Sequence, residues 1–219
     1  MKISILCSSA NHPIDAWLKK WIEINKQDHE IQLIRKKSQL NSGDLLFLIS
    51  CSEIIGHRDR NRFRRTLVIH ASDLPRGRGW SPHVWRIIEG ESDITVTLLE
   101  AEDKVDSGKI WKQEKLTIPR TALFDEINSQ LFEAELKLMD FAIENFDSLI
   151  PVSQEDNTEP TYYPRRTPSD SKLDASKSIE DQFDLIRVCD PTRFPATVLV
   201  RGKLFKLTLE RHTSEDYQH

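Results

Sequence analysis

The sequence has three cysteines in 219 residues, Cys7, Cys51 and Cys189, far apart and odd in number. No Cys-x-x-Cys pair or Cys/His spacing accompanies them, so a zinc site and a disulfide framework are excluded. No metal is expected, and a reducing, cytoplasmic compartment is. Glycine is scarce at seven, and none lies at residues 7–12, the turn after the first apolar run. A dinucleotide pyrophosphate therefore finds no tight glycine turn there. Neither G-x-S-x-G nor a P-loop string occurs, which removes those two readings. Long apolar runs are missing too: the longest, residues 45–49, cannot span a bilayer, and the N-terminus lacks the apolar core of a signal peptide. Neither a membrane partner nor export is expected. Nor is positive charge in excess: 31 Lys and Arg against 35 Asp and Glu give −4. No global field holds a polyanion, so nucleic acid is not an expected partner.

What is present is an ordinary globular mixture, 38% hydrophobic and 30% charged. Residues 2–7 predict a strand, and Pro13 opens a helix carrying Ile14, Trp17, Leu18, Trp21 and Ile22 on one face. Strands are predicted at 31–34, 45–49 and 66–69, then a short helix with Ser81 as cap, Pro82 in its first turn and Gly90 as its stop. Two more strands, 94–99 and 109–116, precede a long helix over about 120–146. This alternation predicts an α/β fold: a Rossmann-like open, mostly parallel sheet with helices on both faces. Residues 151–178 hold four of the ten prolines and few aliphatics, so they read as an irregular connector. A short C-terminal helix with Ile179, Phe183 and Ile186 and a β-hairpin over 196–209 follow, and 213–219 reads as a frayed tail. The division expected is a domain at 1–150 and a short C-terminal segment at 151–212.

Two stretches carry chemistry. His70 stands just past the C-terminal end of a buried strand, where open sheets place their sites, and Asp106 lies in the tight turn Asp106-Ser107-Gly108. If both loops open on one edge, Asp106 would hold the imidazole of His70, giving general acid/base equipment. The residues alone leave open that one is a loop histidine and the other an ordinary turn. The run His57, Arg58, Arg60, Arg62, Arg64, Arg65, with Asp59 interleaved and one aromatic, Phe63, reads as a solvated turn rather than a nucleic-acid patch.

The ordered run His70-x-Ser72-x-Leu74-Pro75-x-x-Arg78-Gly79-x-x-Pro82, then Gly90-Glu91, Thr95-Val96-Thr97 and Val105-Asp106-Ser107-Gly108-x-Ile110, resembles the 10-formyltetrahydrofolate-dependent formyltransferases. The later run Tyr163-Pro164-Arg165-Arg166-Thr167-Pro168, with Asp170, Ser171, Leu173 and Asp174, is similar to the short C-terminal segment of the sugar N-formyltransferase branch. At 219 residues, the second domain that the methionyl-tRNA enzymes of the family use is not expected.

The resemblance implies a fold, a reaction and roles. The 1–150 region would be the catalytic domain and 151–212 a substrate-binding or dimerisation segment of a homodimer. The formyl group of 10-formyltetrahydrofolate, a cosubstrate, would pass to the amino group of a nucleotide-linked 4-amino sugar, as in polysaccharide or pseudaminic-acid-type sugar pathways. His70 and Asp106 would be catalytic. Ser52, Glu53, Ile54, Glu102 and Val105 would line the pterin cleft. Tyr162 and Tyr163 would stack a base, Arg165 and Arg166 would take a diphosphate, and Trp80 and His83 would border the sugar. Packing of this aromatic and basic segment onto the core is the alternative. One departure stands out: the family has Asn-x-His, and Val68 fills the Asn slot. Valine donates no hydrogen bond to the formyl oxygen, a loss of about 2.7 to 4 kcal/mol in a transition state, so either Ser50 or Ser52 replaces it or the protein binds without efficient turnover. A methionyl-tRNA formyltransferase-like activity is the remaining alternative.

Overall fold

The computed structural model describes residues 1–154 and 158–212. Strand β1 (Lys2–Leu6) leads into helix α1 (Ile14–Asn25), followed by β2 (Glu30–Ile34), β3 (Gly43–Leu48), the short helix α2 (His57–Arg60) and β4 (Phe63–His70). After the two-residue β5 (Arg78–Gly79) and helix α3 (Pro82–Ile88) come β6 (Asp93–Glu100), β7 (Ile110–Thr117) and the long helix α4 (Phe124–Glu144). Six strands form the main sheet in the order β2-β1-β3-β4-β6-β7. β2, β1, β3 and β4 run parallel, while β6 is antiparallel to both β4 and β7. This is the expected largely parallel α/β architecture.

The alternation of side chains along the strands separates two apolar layers. Ile3, Ile5, Leu45, Phe47, Leu67, Val96 and Leu98 pack with Leu18 and Trp21 of α1 and Leu131, Leu138 and Met139 of α4. Trp21 Nε1 also donates to Asp140 Oδ1 at 2.6 Å, tying the two helices together. On the opposite face Leu6, Leu46 and Leu48 form a smaller cluster with Leu40, Ile55 and Phe63, against which Val68, Cys51 and Ala101 rest.

The C-terminal region differs from expectation in detail. The segment read as irregular contains two short strands, β8 (Tyr162–Tyr163) and β9 (Lys172–Leu173). Both are two residues long and lack apolar alternation, so no sequence pattern marks them. β8 pairs parallel with β5, and β9 joins β10 (Ala196–Val200) and β11 (Lys203–Leu207) in a three-stranded sheet. Arg201 and Gly202 turn the predicted hairpin with φ of 48° and 74°, the geometry a two-residue hairpin requires. Helix α5 (Phe183–Arg187) docks through Arg187, which is 2% exposed and donates to the Pro119 and Ala122 carbonyls at 3.1 and 3.3 Å. The predicted tail at 213–219 lies outside the described residues.

Two local expectations are corrected. Ser81 occupies the N-cap position of α3, yet its side chain caps nothing. Its φ and ψ of 45° and 51° are left-handed, not the extended backbone from which a cap hydroxyl reaches the first-turn amides. The arginine run is not simply a solvated turn either. Arg60 pairs with Asp103 at 2.7 Å, Arg64 with Asp147 at 2.5 Å and Arg65 with Glu100 at 3.1 Å, while Arg62 donates to the Leu40 carbonyl at 2.8 Å.

Candidate active site

His70 ends β4, and the strand face it shares with Val68 and Thr66 looks away from α4. Asp106 reaches it from the loop between β6 and β7, with Oδ2 at 3.6 Å from His70 Nε2. Both side chains are more than nine-tenths buried. His70 Nε2 also lies 2.8 Å from the Gly77 carbonyl. Carbonyl and carboxylate are both acceptors, so the imidazole proton resides on Nε2. Nδ1 is left without a hydrogen-bond partner among the described residues.

The loop holding Asp106 is fixed from three sides. Gly79 N–H donates to Asp106 Oδ2 at 2.9 Å, and the Gln154 amide donates to the Asp106 and Gly108 carbonyls, each at 2.9 Å. Arg60, bonded both to Asp103 and to the Ile55 carbonyl at 2.8 Å, ties this loop to the one after β3. Asp106, Ser50 and Ser81 all have left-handed φ, between 45° and 54°, and make up three of the four such non-glycine residues among those described. Backbone strain of this kind gathers where the surrounding structure fixes a functional loop.

The predicted pterin-cleft residues fall on those two tied loops. Ile54 and Val105 expose apolar side chains, Ser52 and Glu102 are also exposed, and Glu53 accepts the Lys37 N–H at 2.7 Å. On the strand face between the loops, Thr66 Oγ1 is buried with no partner among the described residues. The exposed apolar side chains of Ile54 and Val105, one on each loop, suit the face of a flat heterocycle.

The predicted substrate residues separate into two groups. Tyr163 stacks on Trp85, with ring centroids 6.2 Å apart and 8° between planes, and donates to Glu89 at 2.7 Å. Burial and that carboxylate push its hydroxyl up to about 12. Arg166 donates to the Asp170 carbonyl and the Ser171 hydroxyl at 3.0 and 3.1 Å. Both are engaged by the fold. Tyr162 and Trp80 are exposed, and the Arg165 guanidinium lies 4.9 Å above the Trp80 ring, a cation–π contact on the rim. The strap carrying these residues docks because Gly79 has no side chain: a Cβ there would lie 2.4 Å from the Tyr163 carbonyl oxygen.

Three histidines meet in this region. His83 has Nδ1 buried with no partner among the described residues, and burial, with His70, His12 and Arg166 nearby, lowers its pKa to about 4. His12, which sequence reasoning passed over, is lowered to about 4 by burial and then by Arg193. It lies in the turn after β1, at the same strand edge as His70. That placement, a histidine at the C-terminal end of a parallel strand, is the signal that would have found it.

Glu135 of α4 is buried with Oε2 unpartnered, and burial raises its carboxyl to about 8. The unfolded chain ionises near the ordinary value of 4.5, so between these limits the folded state binds more protons and stability falls as pH rises. Glu135→Gln is expected to flatten that slope and to stabilise the fold above pH 8. Denaturant midpoints at pH 6 and 8.5 for both proteins check it.

The formyl transferase family profile matches residues 7–143, more than half of the chain. The chain belongs to the formyl transferase family. It is 29% identical over 173 residues to the methionyl-tRNA formyltransferase of Protochlamydia amoebophila, a match covering 77% of this chain and 54% of that protein. The chain thus spans about half, or less, of the length of the curated relatives it matches. HypX from Aquifex aeolicus in complex with tetrahydrofolic acid superposes with a TM-score of 0.81 at 22% identity, covering 95% of this chain and 37% of that one. A sugar N-formyltransferase from Shewanella sp FDAARGOS_354 gives 0.74 at 18% identity, covering 98% and 99%. These identities make the structural likeness one of fold. No helix among the described residues is long and apolar enough to cross a membrane.

Proposed function

We propose that this member of the family is an N-formyltransferase acting on a nucleotide-linked 4-amino sugar. The observation that carries the reading is the buried His70–Asp106 pair at 3.6 Å, at the C-terminal end of β4 and inside the stretch that the family profile matches. 10-Formyltetrahydrofolate supplies the formyl group, and the loops bearing Ser52, Glu53 and Ile54 on one side and Glu102 and Val105 on the other hold it.

Attack by a neutral amine on the formyl carbon forms the new C–N bond, and the bond from that carbon to the donor nitrogen breaks. The nucleophile gives up one proton and the leaving nitrogen takes one, so no net proton is consumed. Asp106 Oδ1, unpartnered among the described residues, accepts the proton of the amine. His70, its Nε2–H given to the Gly77 carbonyl and its ring beside Asp106, presents the Nδ1 lone pair, which takes up the amine proton together with Asp106 and returns it to the leaving nitrogen. The exposed Tyr162 ring and the Arg165–Trp80 pair at the rim suit a base and a diphosphate. The −4 charge supports a small substrate over methionyl-tRNA, because nothing in it steers a polyanion.

The test supplies 10-formyltetrahydrofolate with UDP- and dTDP-linked 4-amino sugars or with methionyl-tRNA. Formylated sugar with an equal yield of tetrahydrofolate is expected. Formylation of the tRNA alone would overturn the substrate class. Folate binding without any product would favour the binding-only relative that Val68 suggests.

A further inference from the structure

The formyl oxygen needs a hydrogen-bond donor that Val68 cannot provide, and the hydrogen-bond pattern around His12 identifies one. Ile14 N–H points at His12 Nδ1 at 3.3 Å, and His12 Nε2 lies 3.2 Å from Ser50 Oγ. A backbone N–H only donates, so Nδ1 must carry the lone pair. In a neutral imidazole the proton is then on Nε2, and Ser50 Oγ accepts it. The low pKa of His12, about 4, keeps the ring neutral across the physiological range. The hydroxyl proton of Ser50 is therefore unspent, on a side chain that no other described residue engages.

Its position is suitable. Leu48 of β3 pairs with Val68 of β4 as the last pair of that register, and Ser50 follows two residues later, in the turn that leaves the sheet edge beside Val68. Ile49 N–H still bonds the Leu6 carbonyl at 3.1 Å, which anchors the strand end, and the left-handed φ of 46° at Ser50 then turns the chain. Ser52, the other serine of this turn, is held differently: its amide donates to Ser8 Oγ at 2.9 Å, and no imidazole orients its hydroxyl.

We infer that Ser50 is a catalytic residue, its hydroxyl donating to the formyl oxygen in place of the family asparagine, and that His12 is the positioning residue that sets the direction of that hydroxyl. The inference rests on the formyl-transfer reading above. Loss of a single oxyanion donor costs about 100- to 1000-fold in kcat, and Ser50→Gly, which suits the left-handed backbone, is expected to show that loss with KM little changed. His12→Phe is expected to lower kcat, and the double variant to be no worse than Ser50→Gly alone, because the imidazole acts only through the hydroxyl. Val68→Asn is expected to restore turnover to Ser50→Gly.

A wild-type kcat in Ser50→Gly, or additive losses in the double variant, would overturn the assignment while leaving formyl transfer intact. A second measurement needs no turnover. The 15N spectrum of histidine-labelled protein at pH 7 is expected to show His12 protonated on Nε2 alone, and protonation on Nδ1 would overturn the inference. A wild-type protein that transfers formyl to no acceptor, with His12 still in the Nε2–H form, would instead count against the functional reading.

Discussion

Replacing His70 with alanine is expected to lower kcat for formyl transfer by about 100- to 10,000-fold, the range for removing a positioned acid/base group. The imidazole is held by its Nε2 edge, with the Gly77 carbonyl at 2.8 Å and Asp106 Oδ2 at 3.6 Å, so one ring nitrogen is fixed and the other is free to work. Alanine removes the working nitrogen and leaves the Gly77 carbonyl without its imidazole partner. Asp106 keeps its bond from Gly79 N–H, so the loop has a remaining anchor and the fold should persist. Far-UV circular dichroism close to wild type, with kcat collapsed, separates lost chemistry from lost structure. Full turnover by His70→Ala would remove the histidine from the mechanism.

The second large effect is steric. A Cβ on Gly108 would lie 1.9 Å from the Glu100 carbonyl oxygen and 2.7 Å from its carbon. Both are backbone atoms of the adjoining strand, so no side-chain rotation relieves the clash. The loop between β6 and β7 must open, and Asp106, two residues earlier, moves with it. Overpacking of this kind costs about 1 to 3 kcal/mol, a Tm decrease of roughly 2 to 12 °C at this chain length. Gly108→Ala is thus expected to be folded but less stable, and to lose more activity than stability, since Asp106 is displaced from His70. Thermal unfolding followed by steady-state kinetics below the new Tm checks both parts.

The fold was legible because its strands are strongly patterned. The runs around Leu45 to Leu48 and Thr66 to Ile69 are apolar on both faces, as a covered parallel sheet demands. The pairing of β6 with β7 followed from the tight turn ending in Gly108. His70 and Asp106 were legible from the ordered motifs around them, not from their spacing, since 36 positions separate them and only the sheet brings them together. Ser81 misled because its residue type favours a cap while its backbone is turned left-handed by the loop that precedes it. The short strands β8 and β9 were illegible for a different reason: their pairing is set by Gly79 and by the hairpin they join, not by their own residues. His12 and Ser50 lie 38 positions apart on two different strand ends, and nothing local to either announces the bond between them.

The most direct test of the account is transfer of a 13C-labelled formyl group from 10-formyltetrahydrofolate to a nucleotide-linked 4-amino sugar, followed by NMR. Wild-type protein is expected to yield the 13C-formamide signal of the sugar at a rate that His70→Ala lacks. A wild-type rate no faster than His70→Ala, across the sugar panel and with folate at saturation, would contradict it.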